Sequence, residues 1–393
     1  MIGITSSSVR SLVFQNIRSA IFASVGNRLI IAMVAALFLV FFAPLVTRAQ
    51  NGDLPQPFLP AQVHPVSTVP PNGDVNPYGV AFVPRQFPTG AVNPGDILVS
   101  NFNNNLNLQG TGTTIVDVPA GTGGSVSVFF QGSGLLGLTT ALNILRKGFV
   151  LVGNFPSPDG TCGNAGNGSI LVINSSGQQI QSIADPSFIN GPWDSALFDR
   201  GDKAKLFIAN GLTGTVVRLD LAVGASGVTV EGKTQIASGY LHQCDPVTFV
   251  DAPTGLVYDP QLDVLYVASS ADNAIFAVND AGDTTHDHGR GRVIFESNKH
   301  LHGPLGMIMA PNGNLVVANN DSINPDPAQP SELVEFTTTG KFVKEISVDS
   351  NFGGSFGLAV ETSGNTVHFA AVDDNVSTLL DWQFPLPENA RLP

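Results

Sequence analysis

Basic residues are scarce in this sequence. Lysine and arginine together number 18 in 393 residues, against 31 acids. Four of the 18 (Arg10, Arg18, Arg28 and Arg48) precede Gln50, a stretch with no acid at all. From Gln50 onward the chain is therefore strongly acidic, and such a surface repels phosphate backbones and anionic lipid. That excludes a nucleic-acid function and leaves cations and neutral or cationic ligands open. Cysteine is scarcer still: Cys162 and Cys244 are the only two, so no CxxC motif exists. No phosphate-binding glycine loop and no Ser-His-Asp arrangement stands out either. Charged residues make up only 12% of the chain and hydrophobic ones 43%, with 42 Gly and 27 Pro. This composition fits a β-rich, turn-rich globular protein with a large core.

The first 49 residues read as an export signal. An arginine-bearing start leads into Leu29–Val46, which contains no charge, and Thr47-Arg48-Ala49 offers a small-residue cleavage site. An uncleaved membrane anchor is the alternative, because a run of that length just spans a bilayer. Either way the rest of the chain is expected outside the cytoplasm, periplasmic, secreted or at the cell surface, with a membrane partner only if the segment is kept.

What the chain has in abundance is short strands. Pro253–Asn279 is the clearest stretch: GLVYD, VLYVAS and AIFAVN are rich in Val, Ile, Leu, Tyr and Phe and are separated by the turns PQLD and SADN. A meander this short cannot bury both faces alone, so copies of it must stack. Copies are present. The second strands end at Asn101, Asn154, Asn210, Ser269, Asn319 and Ala371, at intervals of fifty to sixty residues. Four strands at that period predict an all-β, six-bladed β-propeller of four-stranded antiparallel blades. The sixth copy shows only three strands before the chain runs out. Gln62–Val69 is a spare strand ahead of the first copy, and pairing it with the sixth blade closes the ring and hides an edge. The expected organisation is a signal segment over 1–49, a linker with the closing strand over 50–75, the propeller over 76–384 and a tail over 385–393.

The pattern P-x-G-φ-φ-φ-D-P-x-G-x-φ-φ-V-A-N is best kept at Pro253–Ser269, Pro304–Asn319 and Ser355–Ala371. It resembles NHL repeats and the related SMP-30/gluconolactonase propellers, over about residues 76–384. In gluconolactonase-like propellers the residue before the glycine of the inner strand points into a central cavity, and some of these residues bind a divalent metal. The matching positions here are Tyr78, Thr140, Asp194, Thr254, Leu305 and Phe356, of which only Asp194 is a carboxylate. The resemblance therefore implies a cavity suited to a partly apolar ligand better than to hydrolysis. The expected function is binding of an unknown small molecule or protein through the top face, without a cofactor. The alternative is a metal-assisted hydrolase or lyase using the cavity and a divalent ion.

In a meandering blade the start of the inner strand and the loop between the second and third strands share one face, here called the top. Long loops fall there at Phe102–Gly112, Phe155–Gly168 and Asn320–Pro330, which makes the top the expected site. His242, His300 and His302 precede the inner strands of the fourth and fifth blades on the same face, and His302 joins the candidate ligand set. His286 and His288 read as a solvated turn on the opposite face. Cys162 and Cys244 both fall in top loops, either as a disulfide or, if their Cα atoms lie more than about 7 Å apart, as two free thiols. The asparagines ending the second strands read as turn formers bonded to backbone.

Overall fold

A computed structural model describes residues 56–60, 64–121, 126–387 and 390. The segment expected as an export signal lies outside the described residues, as do Gln62 and Val63 of the expected closing strand.

Each of the first five repeats folds as four antiparallel strands hydrogen-bonded in chain order, and the sixth supplies three. Blade 1 has first strand Val75–Phe82, blade 2 Leu138–Leu145, blade 3 Pro192–Asp199, blade 4 Pro253–Asp259, blade 5 Pro304–Met309 and blade 6 Ser355–Ser363. These first strands touch one another in sequence, and Ser355–Ser363 touches Val75–Phe82, so the ring closes at six. Blade 6 takes its fourth strand from the N-terminal side: His64–Ser67 pairs antiparallel with Thr378–Pro385, Ser67 opposite Thr378. Closure from both chain ends converts two open edges into one ladder.

The segment expected as a linker is partly anchored. Phe58 is buried against Phe369 and Phe384, and its N–H donates to the buried Glu335 Oε2 at 2.7 Å. The fourth strand of blade 3 is longer than the sequence suggests, Val228–Ser238. One hairpin falls outside the four-strand rhythm: Gln243–Asp245 pairs with Phe249–Asp251 between blades 3 and 4. Asp245 Oδ1 closes its tip by accepting the N–H groups of Val247 and Thr248 at 2.7 and 2.9 Å.

Asparagines at the ends of second strands clamp the loops entering blades 2, 3 and 5. Asn154 Oδ1 accepts Gly137 N–H at 2.9 Å, Asn210 Oδ1 accepts Asn190 N–H at 2.9 Å, and Asn319 Oδ1 accepts His302 N–H at 3.2 Å. Buried backbone donors are thereby satisfied where no ladder continues.

Every first strand carries a β-bulge near its start, at Pro77/Gly79, Leu138/Leu142, Pro192/Asp194, Pro253/Leu256, Pro304/Met307 and Ser355/Leu358. The bulges bend the strands where they meet around the axis. Glycine is required there for space. A Cβ on Gly255 would meet Leu305 O, on Gly306 Phe356 O, and on Gly357 Tyr78 O. Each is the carbonyl just before the next blade's glycine, so the strands approach backbone to backbone. Gly357→Ala is expected to lower stability by about 1–3 kcal/mol through overpacking. Gly163, where a Cβ meets nothing within 4 Å, is the matched control. Equal urea midpoints for the two variants would remove this account of the ring.

Candidate functional site

The top of the ring is sealed by aromatic side chains. Tyr78 lies stacked between Phe102 and Phe356, with centroids 4.7 and 4.4 Å away. Trp193 meets Tyr78 and Phe102 edge-on and stacks on Phe249 at 6.0 Å, and Phe155 meets both Trp193 and Phe249 edge-on. All six rings are buried in one cluster with Leu305 and Cys162. Offset and edge-to-face geometries of this kind add to the burial energy. The plug draws Tyr78 and Phe102 from blade 1, one aromatic each from blades 2, 3 and 6, and Phe249 from the extra hairpin.

Phe249 stands at φ 67, in the left-handed region that a bulky residue rarely adopts, so packing in the plug offsets local strain. Cys162 and Cys244 are joined as a disulfide, with Cα atoms 5.4 Å apart. The bond ties the Phe155–Gly168 loop to the hairpin that delivers Phe249.

Below the plug lies a central channel of about 680 Å³. Val80, Leu142, Ala196, Leu256, Met307 and Leu358, one from each first strand, line its upper part. Gln86, Arg146, Asp199, Tyr258 and Glu361 line it near the far ends of those strands. The channel is blind at the top and opens on the opposite face. The residues expected to bind a ligand from the top face divide around the plug. Tyr78 and Phe356 pack into it, and Thr254 is 1% exposed, its hydroxyl donating to Pro304 O at 2.9 Å. Tyr78, Thr254, Phe356 and Leu305 line no part of the channel, while Thr140 and Asp194 do.

Asp194 sits at the closed end, 8% exposed. Its Oδ1 accepts the Ser195 N–H at 2.6 Å, and the backbone of Leu256 also bonds the carboxyl. Burial pushes it up to about 8 in spite of those two donors. Thr140 Oγ1 donates to Trp193 O, so its proton is committed. Asn143 Nδ2 donates to Ser195 Oγ at 2.7 Å and fixes the wall beside Asp194. At the mouth Arg146 is held by Asp199, Nε to Oδ2 3.2 Å and Nη2 to the carbonyl 2.6 Å. Burial raises Glu361, which His368 and Arg85 oppose.

The top-face histidines do not reach this channel. His302 is buried; its Nδ1 bonds Asn324 O, an acceptor only, so that nitrogen carries the proton. Its Nε2 lies 3.7 Å from Glu332 Oε1. Glu332 and Asp321 turn buried carboxyls toward each other, and Asp321 Oδ1 and Glu332 Oε2 accept no N–H or O–H. Burial first, then the Asp321 charge, pushes Glu332 up to about 8. Asp321 Oδ2 meanwhile accepts Ser331 N–H at 2.9 Å and Gly353 N–H at 3.0 Å, tying two top loops together. His300 pairs with Glu345 at 2.6 Å, and His242 Nδ1 lies 3.1 Å from Tyr240 O. Among the described residues no group of three His, Cys, Asp or Glu side chains is placed to hold a metal ion.

No family model matches the sequence, and no curated protein does. Solved structures do. A Thermus thermophilus protein assigned as an oxidoreductase (glucose dehydrogenase) is 14% identical, with a TM-score of 0.50, over 82% of this chain and 100% of that one. A chain of a nidogen/laminin complex is 14% identical, with a TM-score of 0.42, over 76% of this chain and 92% of that one. The likeness is one of fold.

The plug residues Phe102, Phe155 and Phe249 escaped the sequence reading. A signal for two of them was present: Asn-Phe recurs at Asn101-Phe102 and Asn154-Phe155, both at the end of a second strand. Phe249 carried no such mark, because its hairpin breaks the repeat.

Proposed function

We propose that this propeller binds a small, partly apolar molecule in its central channel, entered from the face where the first strands end. The observation that carries the reading is the channel itself: about 680 Å³, apolar along its upper wall, closed at one end and provided with one carboxyl there. Ligand pockets commonly have about this volume and a few polar groups set in an apolar wall. An extracytoplasmic setting goes with the reading, supported by the apolar leader and by the disulfide. A divalent metal in the channel would ask for about six oxygen ligands. At the closed end the wall supplies one carboxyl, and the nearby Thr140 hydroxyl is spent on Trp193, so the donor set there does not fit such an ion.

The test is a fragment screen by ligand-observed NMR, repeated on Ala196→Phe, which fills the channel. Hits that compete with one another and vanish in the variant are expected. Hits that survive Ala196→Phe, or an empty screen, would overturn the reading.

A further inference from the structure

Among the described residues, Asp194 is the single ionisable group lining the inner part of the channel. The other ionisable lining residues, Arg146, Asp199, Tyr258 and Glu361, stand near the far ends of their strands. Asp199 is five residues further along the same strand as Asp194, about 17 Å at the rise of an extended chain. We propose that the channel takes a cationic amine with an apolar body, its ammonium group paired with the Asp194 carboxylate at the closed end. This rests on the channel reading above and gives it a ligand class.

Three observations converge. First, two backbone donors, Ser195 N–H and the Leu256 backbone, hold the carboxyl. Both favour its ionised form, and a carboxylate has about four lone-pair positions, so acceptor capacity is left for a ligand. Second, no cation among the described residues competes. Arg146 is bound by Asp199 at the mouth, and no Lys, Arg or His lines the inner wall. A carboxylate buried among Val80, Leu142, Leu256 and Leu358 needs a counter-charge brought from outside. Third, the molecule has a formal net charge of -13, which raises the local concentration of cations and disfavours anionic ligands. In the empty channel burial keeps Asp194 protonated at neutral pH. Entry of an ammonium ion therefore expels one proton: the Asp194 O–H bond breaks, the proton leaves to solvent, and the N–H donors of the ammonium take its place.

The test is isothermal titration calorimetry of the full chain at neutral pH with three probes of one shape: 2-phenylethylamine, 2-phenylethanol and phenylacetate. The amine is expected to bind tightest, phenylacetate weakest. Amine enthalpies in phosphate and in HEPES should differ by the release of close to one proton, and the alcohol should release none. Asp194→Asn should weaken the amine at least about tenfold and change the alcohol by less than about twofold. Proton release by the parent protein reads the same pairing should the variant fail to fold. Alcohol binding as tight as amine binding, or amine binding without proton release, would overturn the amine pairing and leave the channel reading standing. Amine affinity unchanged in Asp194→Asn would also overturn it. No binding of any probe would count against both.

Discussion

Replacing Cys162 and Cys244 together by alanine is expected to lower stability by about 4–5 kcal/mol, the chain-entropy figure for a loop of this length. The bonded residues are 82 apart, and the loop they close contains all of blade 3, including Trp193. Loss of the bond frees the unfolded chain, and it also releases the hairpin that holds Phe249 on Trp193. Cys162 itself is buried in the plug, so its truncation adds a packing loss. Two measurements separate these contributions. Urea midpoints of the parent with and without reductant report the bond alone. Emission of Trp193 in a Trp382→Phe background reports the plug, and a red shift with easier quenching is expected once the bond is cut. An unchanged midpoint in reductant, with unchanged emission, would show that the bond contributes nothing.

Stability is also expected to fall as pH rises from mildly acidic to mildly alkaline. Burial is the first cause holding several carboxyls above their ordinary range: Asp194 and Glu332 at about 8, Asp374 at about 7, Asp117 and Asp373 at about 6. In the unfolded chain the same groups titrate near 4. Between those limits the native state binds more protons than the unfolded state, so unfolding becomes easier as pH rises. Asp194, 8% exposed at the closed end of the channel, contributes on the order of 5 kcal/mol across its window. Glu332, also buried, acts in the same direction. Asp159, lowered to about 2 by bonds from Thr161 and Asn164, acts oppositely and only in acid, where its protonation removes those bonds. The stability maximum therefore falls on the mildly acidic side of neutral. Urea unfolding at pH 5, 7 and 9 measures the slope. Asp194→Asn, which keeps an acceptor for Ser195 N–H and never ionises, should flatten it and be more stable than the parent at pH 9. The same slope in parent and variant would mean that Asp194 is not the group responsible.

The architecture was legible because it is periodic. A blade is a local meander whose strands and turns are written in neighbouring residues, and repetition of the period counts the blades. The closing strand was legible by subtraction: a sixth copy short of one strand and a spare apolar stretch near the N-terminus, seen as His64–Ser67 paired with Thr378–Pro385. The structure shows where the inner strands crowd the axis, at Gly255, Gly306 and Gly357, which have room for no side chain.

The open end of the channel was not legible. Tyr78 and Asp194 occupy the same place in their repeats, yet one ring packs upward into the plug while the other side chain faces the cavity. A bulge sets each side chain at an angle, and its final direction depends on what six different strands bring to the axis. Phe249 joins them only because an extra hairpin, outside the repeat, folds over the ring beside the Cys162–Cys244 bond. Strand pairing is decided by alternation over a few residues, so the sequence determined the blades. The plug is decided by side chains from four blades and the extra hairpin meeting at one point, from Tyr78 to Phe356, and only the closed ring brings them there.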